Sequence, residues 1–113
     1  MRVLGVDPGL TRCGLGIVEN GTSQKLVMVG VGVIQTSTDI ELAHRLLELE
    51  TQLMVWIKEY KPDVIAVERV FSQLNIRTAM STGQAAGVAL FIAARSGIPV
   101  AMHTQTEVKA AVT

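Results

Sequence analysis

Asp7 and Glu68 each close a short apolar run, Val3-Leu4-Gly5-Val6 and Val64-Ile65-Ala66-Val67. Runs of this length and composition read as buried strands, and each would deliver one acid at its tip. Side by side, the two strands would place Asp7 and Glu68 in one small site. Carboxylates crowded away from bulk water repel, so one holds a proton or both hold a cation. An all-oxygen donor set suits a hard divalent ion such as Mg²⁺. Hydrolysis of a phosphate ester needs an activated water, neutralised phosphoryl oxygens and help for the leaving oxygen, and a metal pair supplies all three. Asp7 has a second reading, because aspartate is favoured at the first position of a Pro-Gly turn and Pro8-Gly9 follows it. Glu68 has a weaker one, since an acid ending an apolar run is costly unless exposed or paired.

The elements that must position these acids follow from periodicity. Arg12 to Glu19 alternates around Leu15 and Ile17, Asn20-Gly21 is a strong hairpin signal, and Lys25 to Gln35 is the returning strand. Three strands joined by short turns form an antiparallel meander, which excludes a dinucleotide fold whose first strand leads directly into a helix. Leu42, Leu46, Leu49, Leu53, Ile57 and Tyr60 recur at helical spacing, with Thr38 and Glu41 as a capping box and Pro62 as the stop. Strand four is Val64 to Glu68, a second helix runs from about Asn75 to Ser96 before Gly97, and strand five is Val100 to His103. A third helix starts near Thr106. The βββαβαβα order predicts an α/β fold, and right-handed crossovers make strands one, four and five parallel. Their carboxyl ends then meet on one edge.

Size and composition set the limits. A chain of 113 residues is one domain, and 49% apolar with 18% charged residues describes a folded globular protein. No stretch approaches the roughly eighteen apolar residues of a membrane span, and no basic-then-apolar leader precedes the first strand. Cys13 is the only cysteine, which excludes an internal disulfide and predicts a reducing cytoplasm. The net charge is zero, which counts mildly against a nucleic-acid partner. Its distribution counts the other way: from Arg69 onward the bases are Arg69, Arg77, Arg95 and Lys109, against Glu107 alone.

Four motifs in register carry a family resemblance: Gly5-Val6-Asp7-Pro8-Gly9 with Gly14, Val67-Glu68-Arg69-Val70-Phe71, Gly83-Gln84-Ala85-Ala86-Gly87-Val88, and Glu107-Val108-Lys109. The chain resembles the RuvC-type Holliday-junction resolvases of the ribonuclease-H-like superfamily. The resemblance implies a mixed five-stranded sheet of order 3-2-1-4-5, with strand two antiparallel and helices flanking it. It also implies a homodimeric endonuclease that makes paired nicks in four-way DNA junctions, uses two Mg²⁺ ions per site with Mn²⁺ as a substitute, and works with the RuvA–RuvB branch-migration helicase. Asp7 and Glu68 match catalytic metal ligands, Phe71 an aromatic that reaches the DNA near the crossover, and Lys109 a base near the scissile phosphate. The family places two further acids in a C-terminal helix and a second lysine beyond Lys109, and residues 1–113 contain neither. The expectation is therefore the N-terminal part of a resolvase domain, with its C-terminal helices missing and little or no cutting by these residues alone.

Other residues keep two readings. Phe71 is a core aromatic or an exposed wedge that stacks on an unpaired base. Arg69 and Arg77 meet DNA phosphates or only solvent. Gly83 and Gly87, with Ala79, Ala86 and Ala94, line one side of the second helix, facing either the sheet or the same helix of a second subunit. A rival function is an actin-like ATPase or sugar kinase, because Asp7 to Thr11 with Gly14 resembles its first phosphate loop. A noncatalytic remnant that dimerises or binds DNA is a third reading.

Overall fold

Period-two apolar patterns build the three strands of the meander: β1 spans Arg2–Asp7, β2 Arg12–Asn20 and β3 Leu26–Gln35. The structure, a computed structural model, describes residues 1–20, 25–68 and 76–103, without the side chains of Met102 and His103. Helix α1 (Leu42–Tyr60) leads to β4 (Val64–Glu68), and helix α2 (Ile76–Arg95) leads to β5 (Val100–His103). The five strands form one sheet of order β3-β2-β1-β4-β5. Pairing of β2 with β1 and β3 is antiparallel, and pairing of β4 with β1 and β5 is parallel. This is the expected topology. The turn after Asn20 and the third helix expected from Thr106 lie outside the described residues.

Alternation along each strand sorts side chains between two faces. Leu4, Val6, Leu15, Ile17, Ile34, Ile65 and Val67 join Leu49, Leu53 and Ile57 of α1 and Ala85, Ala89 and Ile92 of α2 in one buried cluster. Both described helices therefore pack on the same side of the sheet. Asp7 and Glu68, out of phase with these residues along β1 and β4, take the opposite side. Helix α1 lies close against the edge strand because glycines flatten it. A Cβ on Gly32 would lie 2.6 Å from Trp56, and one on Gly30 would lie 2.8 Å from the Tyr60 hydroxyl. Trp56 and Tyr60 pack on each other as well, with ring centroids 5.3 Å apart.

Two local expectations are corrected. Thr38 and Glu41 do not form a capping box: α1 begins at Leu42 with Glu41 at its N-cap, and no side chain caps it. The preceding residues close their own turn instead, with Asp39 N–H donating to Ser37 Oγ (3.1 Å) and Ile40 N–H to the Ser37 carbonyl (3.2 Å). That local alternative competes with capping at serine-rich entries. The Pro8-Gly9 link is also wider than a two-residue turn, because Asp7 is the last residue of β1 and β2 starts only at Arg12. The end of α2 follows expectation: Ile98 N–H reaches the Ala93 carbonyl (2.9 Å) and Gly97 N–H that of Ala94 (3.1 Å), with Gly97 at φ +72°. This is a glycine-dependent helix stop.

Candidate metal centre

Parallel register brings the two acids together. Val3 to Val6 pair in step with Val64 to Val67. One residue further along both strands stand Asp7 and Glu68. In-register residues of parallel strands share a face, so the two carboxylates are neighbours on the side of the sheet away from α1 and α2. Their settings differ: Asp7 is exposed, while Glu68 is only 9% exposed. A carboxylate so deeply set keeps its charge only with strong compensation.

The chain around Asp7 is shaped to leave it room. Its partner across β2 is Gly14. A Cβ there would stand 3.5 Å from Asp7 Cβ and 4.0 Å from Oδ2, so glycine keeps that flank of the carboxylate open. Gly9, unlike Gly14, admits no side chain at all, because a Cβ would overlap the Arg12 carbonyl. The loop is then tied to the end of β3: Thr36 N–H donates to the Thr11 carbonyl (3.2 Å) and Thr36 Oγ1 to the Leu10 carbonyl (2.5 Å).

Cys13 lies close in sequence but is 1% exposed and packs in the core on the helix side. Burial pushes its thiol from 9.0 up to about 11; a backbone hydrogen bond at Gly9 opposes the rise, and the Asp7 charge adds to it. The place of Cys13 in the core on the helix side sets it across the sheet from the acid pair. Among the described residues, no third His, Cys, Asp or Glu joins the acid pair. The donor set is thus hard oxygen only. It fits Mg²⁺, which is commonly held by one or two carboxylates with water and substrate phosphates completing its shell.

The other candidates separate. Phe71, Arg69 and Lys109 lie outside the described residues. The backbone of His103 pairs opposite Glu68. Arg77 is exposed on the first turn of α2 and lines a cleft beside the loop that leaves Asp7. Gly83 and Gly87 do not face the sheet: a Cβ on either would meet nothing within 4 Å, whereas Ala85, Ala86, Ala89 and Ala93 form the buried face. The small residues therefore do not form the single stripe expected, since Ala86 points inward and the two glycines outward. Gly87 lies in a groove of about 340 Å³ between the helices, with Leu47 and Phe91. Both of those side chains are more than half exposed, at 56% and 58%.

Sequence reasoning missed Thr36 and Arg45. Arg45 Nε donates to Thr36 Oγ1 (2.9 Å) and Nη2 to Thr11 Oγ1 (3.0 Å), so α1 helps hold the loop after Asp7. No pattern marks these residues, because their contacts span 9 and 34 positions.

Comparison with known proteins places this arrangement. Residues 3–113 match the family model described as crossover junction endodeoxyribonuclease RuvC. A protein of that name from Streptomyces avermitilis is 60% identical over the whole chain, which covers 64% of that relative. One from Thermobifida fusca is 53% identical, again over the whole chain and 62% of the relative. The chain thus spans somewhat under two thirds of the length of these relatives. Among solved structures, Thermus thermophilus RuvC in complex with a Holliday junction substrate superposes with a TM-score of 0.85 at 28% identity. That alignment covers 97% of this chain and 70% of the other.

Proposed function

Since this chain belongs to the crossover junction endodeoxyribonuclease RuvC family, we propose that the full-length protein resolves Holliday junctions by metal-dependent hydrolysis of DNA phosphodiesters, with Asp7 and Glu68 as catalytic metal ligands. The observation that supports this most is the register that sets these two acids side by side at the strand tips. The family match extends through the Asp7 to Thr11 loop and displaces the actin-like reading.

Asp7 and Glu68 would hold Mg²⁺, which when bound neutralises phosphoryl charge and lowers the pKa of water. Asp7, the exposed acid, would be the ligand shared between the ions and open to substrate. Glu68, held by burial, would be a ligand to one ion and would orient the attacking water. The acids that complete the site in the family belong to the part of the relatives that this chain does not span. Residues 1–113 alone are accordingly proposed to cut little or not at all. Phe71, Arg69, Arg77 and Lys109 are proposed DNA contacts, and RuvA–RuvB the helicase partner, in the cytoplasm. Among the described residues, no helix is long and apolar enough to cross a membrane.

The test is direct. Full-length protein with Mg²⁺ should place paired nicks in a synthetic four-way junction and spare linear duplex of the same sequence, and EDTA should abolish cutting. Equal cutting of duplex and junction, or cutting that survives EDTA, would refute the reading.

A homodimer belongs to the same proposal, and the outward glycines support it: Gly83 and Gly87 leave α2 bare beside an exposed apolar groove. Gly87→Arg has space on the isolated subunit but would fill the approach of a second helix. Sedimentation should then shift from dimer to monomer mass while the far-UV spectrum is kept. A variant that remains dimeric would move the interface elsewhere.

A further inference from the structure

We propose that Arg12, Arg45 and Arg77 seat a backbone phosphate of the DNA in the cleft between the starts of α1 and α2, at a site apart from the acid pair; the inference rests on the nuclease reading above. The cleft has a volume of about 480 Å³, and its lining includes Thr11, Arg12, Thr38, Arg45, Arg77 and Ser81 with no carboxylate. Guanidinium groups offer planar forks of donors that match phosphate oxygens, and the hydroxyls add further donors.

Three features point to an anion rather than to a solvated surface. The side chains of Arg12 and Arg77 are exposed, and the ion pairs found among the described residues, Arg2–Glu19 and Arg95–Glu50, involve neither of them nor Arg45. Arg45 is half-buried and held in place, with Nε on Thr36 Oγ1 and Nη2 on Thr11 Oγ1 and the Thr36 carbonyl. Neutral acceptors position it without cancelling its charge. Finally, α2 starts at this cleft without an acid in its first turn, so its positive end favours an anion there.

Two further features favour a polymer over a free anion. The cleft continues into a second cavity of about 490 Å³ that shares Thr11, Arg12 and Thr38 and extends over Gln35 to Ser37. Together they form a track longer than one phosphate needs. The track also begins at Gly9 and Leu10, in the loop directly after Asp7. Arg45 is tied to that same loop, through Thr36 Oγ1, at the Leu10 carbonyl.

The test uses the full-length protein and measures junction affinity without divalent metal across a range of NaCl concentrations. Arg12→Gln and Arg77→Gln are suitable because both side chains are exposed; Arg45 also supports the fold. Each variant should weaken binding roughly tenfold, and each lost phosphate contact should reduce the slope of log K against log salt by about 0.9. A double variant with wild-type affinity and slope would overturn the seat and leave the nuclease reading standing. A wild-type protein that does not bind junctions would overturn the nuclease reading, and the seat with it. If inorganic phosphate raises the melting temperature of wild type but not of the double variant, while junction binding is the same in both, the cleft belongs to a free anion and the proposal fails.

Discussion

Asp7→Asn or Glu68→Gln in the full-length protein should lower the rate of junction cutting on the order of a thousandfold or more, equivalent to about 4 kcal/mol of lost transition-state stabilisation. Each amide keeps the shape of the acid and removes its charge, so the substitution tests the charge rather than the packing. Junction affinity without metal should be nearly unchanged, because binding strength comes mainly from cationic contacts to phosphates. A second readout avoids activity altogether. Millimolar Mg²⁺ should raise the melting temperature of wild type, as a ligand of the folded state does, and should do so less for either variant. Both substitutions should lower cutting, since each removes one of two neighbouring carboxylates. If a lowered melting temperature accounts for the lost cutting, the carboxylates serve the fold instead.

The second large effect is expected in the core. Leu49 is fully buried, on the face of α1 that meets the sheet. Leu49→Ala should cost about 3 kcal/mol, because the side chain is lost and the cavity collapses only in part. For a domain of this size that is a fall of roughly 10–20 °C in melting temperature. Val55 lies on the same helix but is 57% exposed, so Val55→Ala should change stability by less than about 0.5 kcal/mol. Thermal unfolding of the two variants side by side measures the contrast. Equal losses would contradict the placement of α1.

Much of this was legible in the chain. Periodicity located all seven described elements, and their bounds within a residue or two except at the start of α1, because each buries one face and the spacing of its apolar residues records which. The strand ends were legible for a related reason: Asp7 and Glu68 interrupt apolar runs where an acid is costly, and parallel crossovers bring those ends to one edge. The start of α1 was not, since Thr38 and Glu41 have the right spacing for a cap but Ser37 offers Asp39 N–H a nearer acceptor. Nor was the direction of α2. Alanines and glycines interleave along it, and composition alone does not tell which small residues face the sheet.

By itself, then, the order of residues determined most of the secondary structure, made β1, β4 and β5 parallel and marked Asp7 and Glu68 as candidates, all of which depend on local periodicity and chain connectivity. The adjacency of β1 and β4 was implied by the family resemblance and is found in the sheet. Tertiary structure decided that both described helices cover one face, that Gly83 and Gly87 point outward, and that Arg12, Arg45 and Arg77 share a cleft. Those outcomes depend on contacts between residues tens of positions apart. Polar side chains and glycines carry no periodic burial signal that would announce such contacts beforehand.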